Sequence, residues 1–164
     1  MQRRSEGDEA FETWPLLLET HTVLLELLER ELDDVGGLSL SWYDVLVQLA
    51  MAPEGKLKMN ELAGSVLLSK SGITRLVDRM EADGLIKRSS CKADRRSIYA
   101  TITPKGRQLF DRACPLHIRG VKRHFLAHLT DQEVITLRSA LHKVLEAAHE
   151  ARSGRVPQEA RLPG

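Results

Sequence analysis

Residues 61–106 read ELAGSVLLSKSGITRLVDRMEADGLIKRSSCKADRRSIYATITPKG, and the order of patterns in this stretch decides the fold. From about Met59 to Val66, the apolar residues Met59, Leu62, Ala63 and Val66 fall on one helical face. After Leu67-Leu68, Ser69 is placed to cap a second helix that ends at Asp83-Gly84. Its inward face is Ile73, Leu76, Val77 and Met80, spaced i, i+3, i+4 and i+7. The period then changes. LIKRSS (85–90) and SIYATIT (97–103) are strand-like and flank a charged tip, the signature of a β-hairpin. Thr103-Pro104 opens the next helix, with Thr as N-cap and Pro at the first helical position. Two short helices followed by a hairpin make a winged helix-turn-helix.

Outward from this stretch the chain is helical. An N-terminal helix is expected over residues 11–36, stopping at Gly36-Gly37. Leu17, His21, Leu24, Leu28 and Val35 form one stripe on it, and Leu18, Leu25 and Leu32 a second, so it needs more than one neighbour. Ser41, with Asp44 three residues on, is expected to cap the helix that ends before Pro53, and PEGK reads as a turn. The helix from Pro104 is expected to reach Leu129 with a kink near Pro115. Thr130-Asp131-Gln132-Glu133 is a capping-box signature for a last helix carrying a seven-residue apolar rhythm. The expectation is a mainly α chain with a small β-hairpin wing. A lobe over 39–106 carries the winged helix, helices over 11–36 and 104–151 build a dimerisation lobe, and a disordered tail follows from 152 to 164.

Charge is segregated along this 164-residue chain: −8 over residues 1–68, +6 over 69–107 and +3 over 108–164. A cationic middle argues for contact with a polyanion. No uninterrupted apolar span is long enough for a bilayer, and no basic-then-apolar secretory start is present, so a cytoplasmic protein without membrane attachment is expected. Gly-rich phosphate loops, nucleophile elbows and paired metal motifs are missing, and His124 and His128, at a four-residue spacing that could hold zinc, have no Cys or carboxylate partner fixed in sequence, which argues against an enzyme, a cofactor or a metal.

The polar face of the second short helix offers Lys70, Ser71, Thr74, Arg75, Asp78 and Arg79, and its first turn, with Ser69, suits phosphate. A helix laid in a major groove reads base edges, and the hairpin beside it reaches the flanking backbone and minor groove. That accounts for Arg88, Lys92, Arg95 and Arg96, with Asp94 pairing to an Arg (Arg75, Arg79 or a neighbouring wing Arg) to orient the wing. Double-stranded DNA is therefore the expected partner.

The stretch 61–106, and above all Asp94-Arg95-Arg96 followed by Ile98, Ile102, Thr103 and Gly106, resembles the MarR family of bacterial transcription regulators, and the likeness extends over about residues 11–150. The resemblance implies a homodimer and a repressor of palindromic operators, released by a small phenolic or anionic ligand. Trp14, His21, Trp42 and Tyr43 are the residues expected to line a ligand crevice. Peroxide-sensing members keep a cysteine near the start of the first helix, and this chain has none there. Two alternatives stand beside this reading. One is a redox-responsive regulator using Cys91, whose neighbours Arg88 and Lys92 favour a thiolate. The other is a protein-binding adaptor that has lost DNA affinity.

Overall fold

The structure is a computed structural model that describes residues 6–66, 70–90 and 97–152; the side chains of residues 6–9, 70 and 71 fall outside the description. Six helices and three strands follow in the order α1 (Glu6–Asp33), α2 (Leu40–Met51), β1 (Lys56–Lys58), α3 (Met59–Ser65), α4 (Lys70–Ala82), β2 (Ile86–Ser90), β3 (Ile98–Ile102), α5 (Pro104–His124) and α6 (Asp131–Arg152). This is a mainly α winged helix-turn-helix with a small antiparallel sheet. The chain divides near Val121 into two compact units.

In the first unit, α2, α3, α4 and the sheet enclose one apolar core. Leu46, Leu49, Leu62, Ile73, Met80 and Ile86 are fully buried in it, joined by Leu32 from the end of α1 and Ala113 from α5. Each such Leu, Ile or Met gains about 1.5–3 kcal/mol from leaving water. The α4 seam is the one the spacing indicates: Ile73, Leu76, Val77 and Met80 all point inward. Helix α4 ends in a left-handed Gly84 (φ +72°), with Leu85 N–H donating to Met80 O and Gly84 N–H to Glu81 O, both at 2.9 Å. These are the two bonds of a Schellman motif, and they turn the chain sharply into β2.

The sheet has the order β1-β3-β2, and Ile86 faces Ile102 at the base of the hairpin. Pro53–Gly55 of the expected PEGK turn form a 3₁₀ turn, and strand β1, which begins at Lys56, is an element the sequence reading lacks. Three residues are too few to show a period, and β1 exists because β3 supplies its hydrogen bonds, with Leu57 opposite Ala100. Thr103 then locks the hairpin to α5. Its hydroxyl donates to Gly84 O at 2.7 Å and accepts from Gly106 N–H at 3.1 Å. Gly106 passes so close that a Cβ there would lie 2.1 Å from Leu85 O.

Three boundaries differ from expectation. Helix α1 begins at Glu6 rather than near Phe11. The cap of α2 is Ser39, whose Oγ accepts from Trp42 N–H at 3.3 Å; Ser41 is already inside the first turn, and Asp44 is left free for another role. Helix α5 runs through Pro115 to His124, followed by a 3₁₀ turn at Leu126–His128. Proline costs that helix a hydrogen bond. Ala113 is buried just before Pro115, and Gly120 beyond it packs closely against Leu28 and Glu31 of α1. In the second unit, Thr130 and Glu133 exchange capping bonds at 2.8 and 3.3 Å, which starts α6 as its sequence indicates. Among the described residues, no helix is long and apolar enough to cross a membrane.

Candidate nucleic-acid interface

Burying the apolar seam of α4 leaves its other face outward. Thr74, Arg75, Asp78 and Arg79 are all exposed along it. Thirteen residues make a rod of roughly 20 Å, the length and girth that a major groove of about 12 Å accepts. Lys70 and Ser71 lie in its first turn, where N–H groups and the helix dipole favour phosphate. Ser69, Cys91, Lys92, Asp94, Arg95 and Arg96 lie outside the described residues, as does the segment 153–164.

Arg88 sits differently from the other basic residues. It projects from β2 back onto α4, where its guanidinium donates to Asp78. Its Nε lies 3.2 Å from Glu81 Oε2, an ion pair whose angle falls short of a hydrogen bond. Its backbone N–H donates to Glu81 Oε1 at 2.7 Å. Two carboxylates therefore engage the Arg88 charge, and the contact fixes the roll of α4 against the wing strands. Sequence reading missed Glu81, although Asp78 and Glu81 are spaced i, i+3 on one side of α4. The partner strand could not be known before β2 was seen beside that helix. Beside β1, Lys56 Nζ stands 4.4 Å above the Tyr99 ring.

The four residues named for a ligand crevice do not come together. Trp14 is 63 % exposed on α1, among other uncovered apolar residues such as Leu17, Leu18 and Val23. Tyr43 is part of the core: it stacks on Phe110 and lies 4.5 Å from the His117 ring. Burial and a hydrogen bond to the Cys114 side chain push its hydroxyl pKa up. His117 Nδ1 is enclosed without a hydrogen-bond partner, and burial lowers its pKa while the charge of Glu31 partly opposes this. His21 lines a cleft of about 340 Å³ with Leu25, Glu29, Leu40, Ser41, Asp44 and Val66. Burial raises the pKa of Asp44 there. Trp42 lines a different cleft, with Gly36, Gly37, Lys105 and Arg112.

Residues 36–97 match the sequence model of the MarR family. AbsC, a MarR family transcriptional regulator from Streptomyces coelicolor, superposes with a TM-score of 0.82 at 28 % identity, over 91 % of this chain and 99 % of that one. Sco3205, a MarR family regulator from the same organism solved in complex with DNA, gives a TM-score of 0.76 at 26 % identity, over 99 % of this chain and 97 % of that one. The HTH-type transcriptional regulator YkoM of Bacillus subtilis is 29 % identical over 79 residues, 48 % of this chain, and the match spans 51 % of its length.

Proposed function

We propose that this chain, similar to MarR family transcription regulators, acts as a homodimeric repressor: it occupies a palindromic operator and leaves it when a small ligand binds. The observation that carries the DNA half of this reading is the two-sidedness of α4. Its apolar seam is consumed by the core while Thr74, Arg75 and Arg79 stay exposed on a rod of groove dimensions. Sco3205, similar at 26 % identity, was solved in complex with DNA, which supports DNA as the partner.

In this reading Thr74 and Arg75 meet base edges, and Lys70, Ser71 and Ser69 meet phosphate. Arg79, Lys92, Arg95 and Arg96 contact the flanking backbone and minor groove. Arg88 contributes by holding α4 to the wing, and Asp94 orients the wing. The uncovered apolar stripes of α1 support the dimer, since Trp14, Leu16, Leu17, Leu18 and Val23 remain exposed in the single chain. Two such readers, about one helical turn of DNA apart, read a palindrome. Release by a ligand requires only that it bind the non-binding spacing more tightly; a hundredfold preference lowers operator affinity by up to a hundredfold.

A gel-shift titration on the protein's own upstream region tests the reading. A two-fold symmetric footprint is expected, and about six neutralised phosphates give a log–log salt slope near −5. Arg96→Ala is expected to weaken binding by about 1–3 kcal/mol. Equal, weak binding to the upstream region and to random duplex would reject an operator, and unchanged affinity in Arg96→Ala would remove that residue from the interface.

A further inference from the structure

The solvent side of the wing sheet is cationic, and none of its residues serves the DNA contact proposed above. Strand register sets two rows across it: Lys56, Thr101 and Lys87, then Lys58, Tyr99 and Ser89. Alternate residues of a strand point to opposite sides. The other side holds Leu57, Ile86, Ala100 and Ile102 in or against the core, and Arg88 there reaches back to Asp78 of α4. The lysine side therefore looks away from α4, and a duplex lying along that helix leaves it open. We propose that this face is a docking site for an acidic peptide segment of a partner protein.

Chemistry and size both fit such a segment. Three lysines stand on the face with three hydroxyls, those of Tyr99, Thr101 and Ser89, and no carboxylate. Among the described residues none of these lysines is in an ion pair. Lys56 Nζ lies 4.4 Å from the centre of the Tyr99 ring, a cation–π contact that holds the ammonium over the middle strand. Backbone spacing makes the patch about 10 Å across the strands and about 7 Å along them. Carboxylates on alternate residues of an extended peptide recur at about that same 7 Å, so two can meet Lys56 and Lys58 at once. On the β1 flank stand Glu54, exposed, and Glu61, whose Oε2 accepts from Lys58 N–H at 3.1 Å. A duplex, with a charge about every 1.7 Å of its axis, overruns the patch and meets those carboxylates. A segment of a few residues does not.

Position adds a consequence. Because α4 and the lysine face look in different directions, an acidic partner can be held beside DNA that α4 occupies. This use rests on the regulator reading; peptide binding itself does not.

The test follows the backbone amide signals of the full ¹⁵N-labelled chain by NMR during titration with an octapeptide of alternating Glu and Ser. Saturable shifts are expected at residues 56–58, 87–89 and 99–101, with none from the Gln-Ser analogue. Lys56→Gln with Lys87→Gln should weaken the peptide about three- to thirtyfold, the worth of two exposed ion pairs. Lys56→Arg with Lys87→Arg should retain it, and unaltered melting curves will establish that both variants fold. A random DNA duplex should leave the peptide bound, and the Gln variant should bind that duplex within threefold of the parent. Shifts confined to α4, no saturable response, or indifference to the Gln variant would overturn the proposal. Displacement of the peptide by the duplex would overturn it too, giving the face to DNA. DNA affinity of the parent chain without peptide reports separately on the regulator reading, so either can fail alone.

Discussion

Helices α4 and α6 carry similar apolar rhythms and meet opposite fates. In α4, Val77 and Met80 are 0 % exposed, because α2, α3 and the sheet close over them. In α6 no residue is buried; Val144 is 67 % exposed and Leu145 51 %. Phe125, Val134, Leu137, Leu141 and Leu145 instead line an open groove of about 320 Å³, edged by Arg138 and His142. Periodicity tells which side of a helix needs cover. Whether that cover comes from the same chain or another depends on what the fold brings near. The contrast separates a seam closed by its own chain from a seam left exposed, which fits the dimer proposed above.

The strongest way to break this comparison is through the core. Leu46→Ala removes a fully buried side chain from α2 and should cost about 2–5 kcal/mol in urea unfolding, independent of protein concentration. A loss below 1 kcal/mol would mean that the first unit is far looser than its packing. On α6, Leu141→Glu with Leu145→Glu should convert a dimer to a monomer in sedimentation at micromolar protein. Its cost in stability, about 1–3 kcal/mol, should appear only where the parent is dimeric. An unchanged mass would assign the α6 seam to another use.

A third variant probes the outward face of α4. Arg75→Ala should leave the melting temperature within experimental scatter while weakening operator binding by about 1–3 kcal/mol and relaxing preference at one base pair. Loss of fold stability instead would make Arg75 structural.

The smallest effect concerns His117. Its pKa in the folded chain is held below the ordinary value of 6.5, chiefly by burial. Above that value both folded and unfolded chains are neutral there, and no penalty exists. As the pH falls through 6.5, the unfolded chain takes up the proton first, so stability drops with a slope of at most about 1.4 kcal/mol per pH unit from this group. His117→Gln should flatten the difference in stability between about pH 7 and 5.5. An identical acid slope in that variant would trace the loss to other groups.

What could be read in advance, and what could not, follows the range of the interactions. The seam of α4, the Thr103-Pro104 start, the Gly84 stop and the Thr130–Glu133 cap were legible because each is settled within a few residues of itself. Strand β1 escaped notice, since three residues reveal nothing until β3 lies alongside. Ser39 and Ser41 were both capable caps, and their choice rests on where α2 docks. Tyr43 has the look of a crevice residue, yet the proximity of Phe110, His117 and Cys114 makes it part of the core.

By itself, then, the order of residues settled the winged helix and the polar side of its second helix, because helical and strand periods are local properties of a chain. Tertiary structure alone decided that Arg88 is spent on Asp78 and Glu81, and that His21 and Trp42 face clefts of opposite charge. It also decided that, among the described residues, none on α6 is buried. Those outcomes turn on pairings across tens of residues, which a chain acquires only by folding.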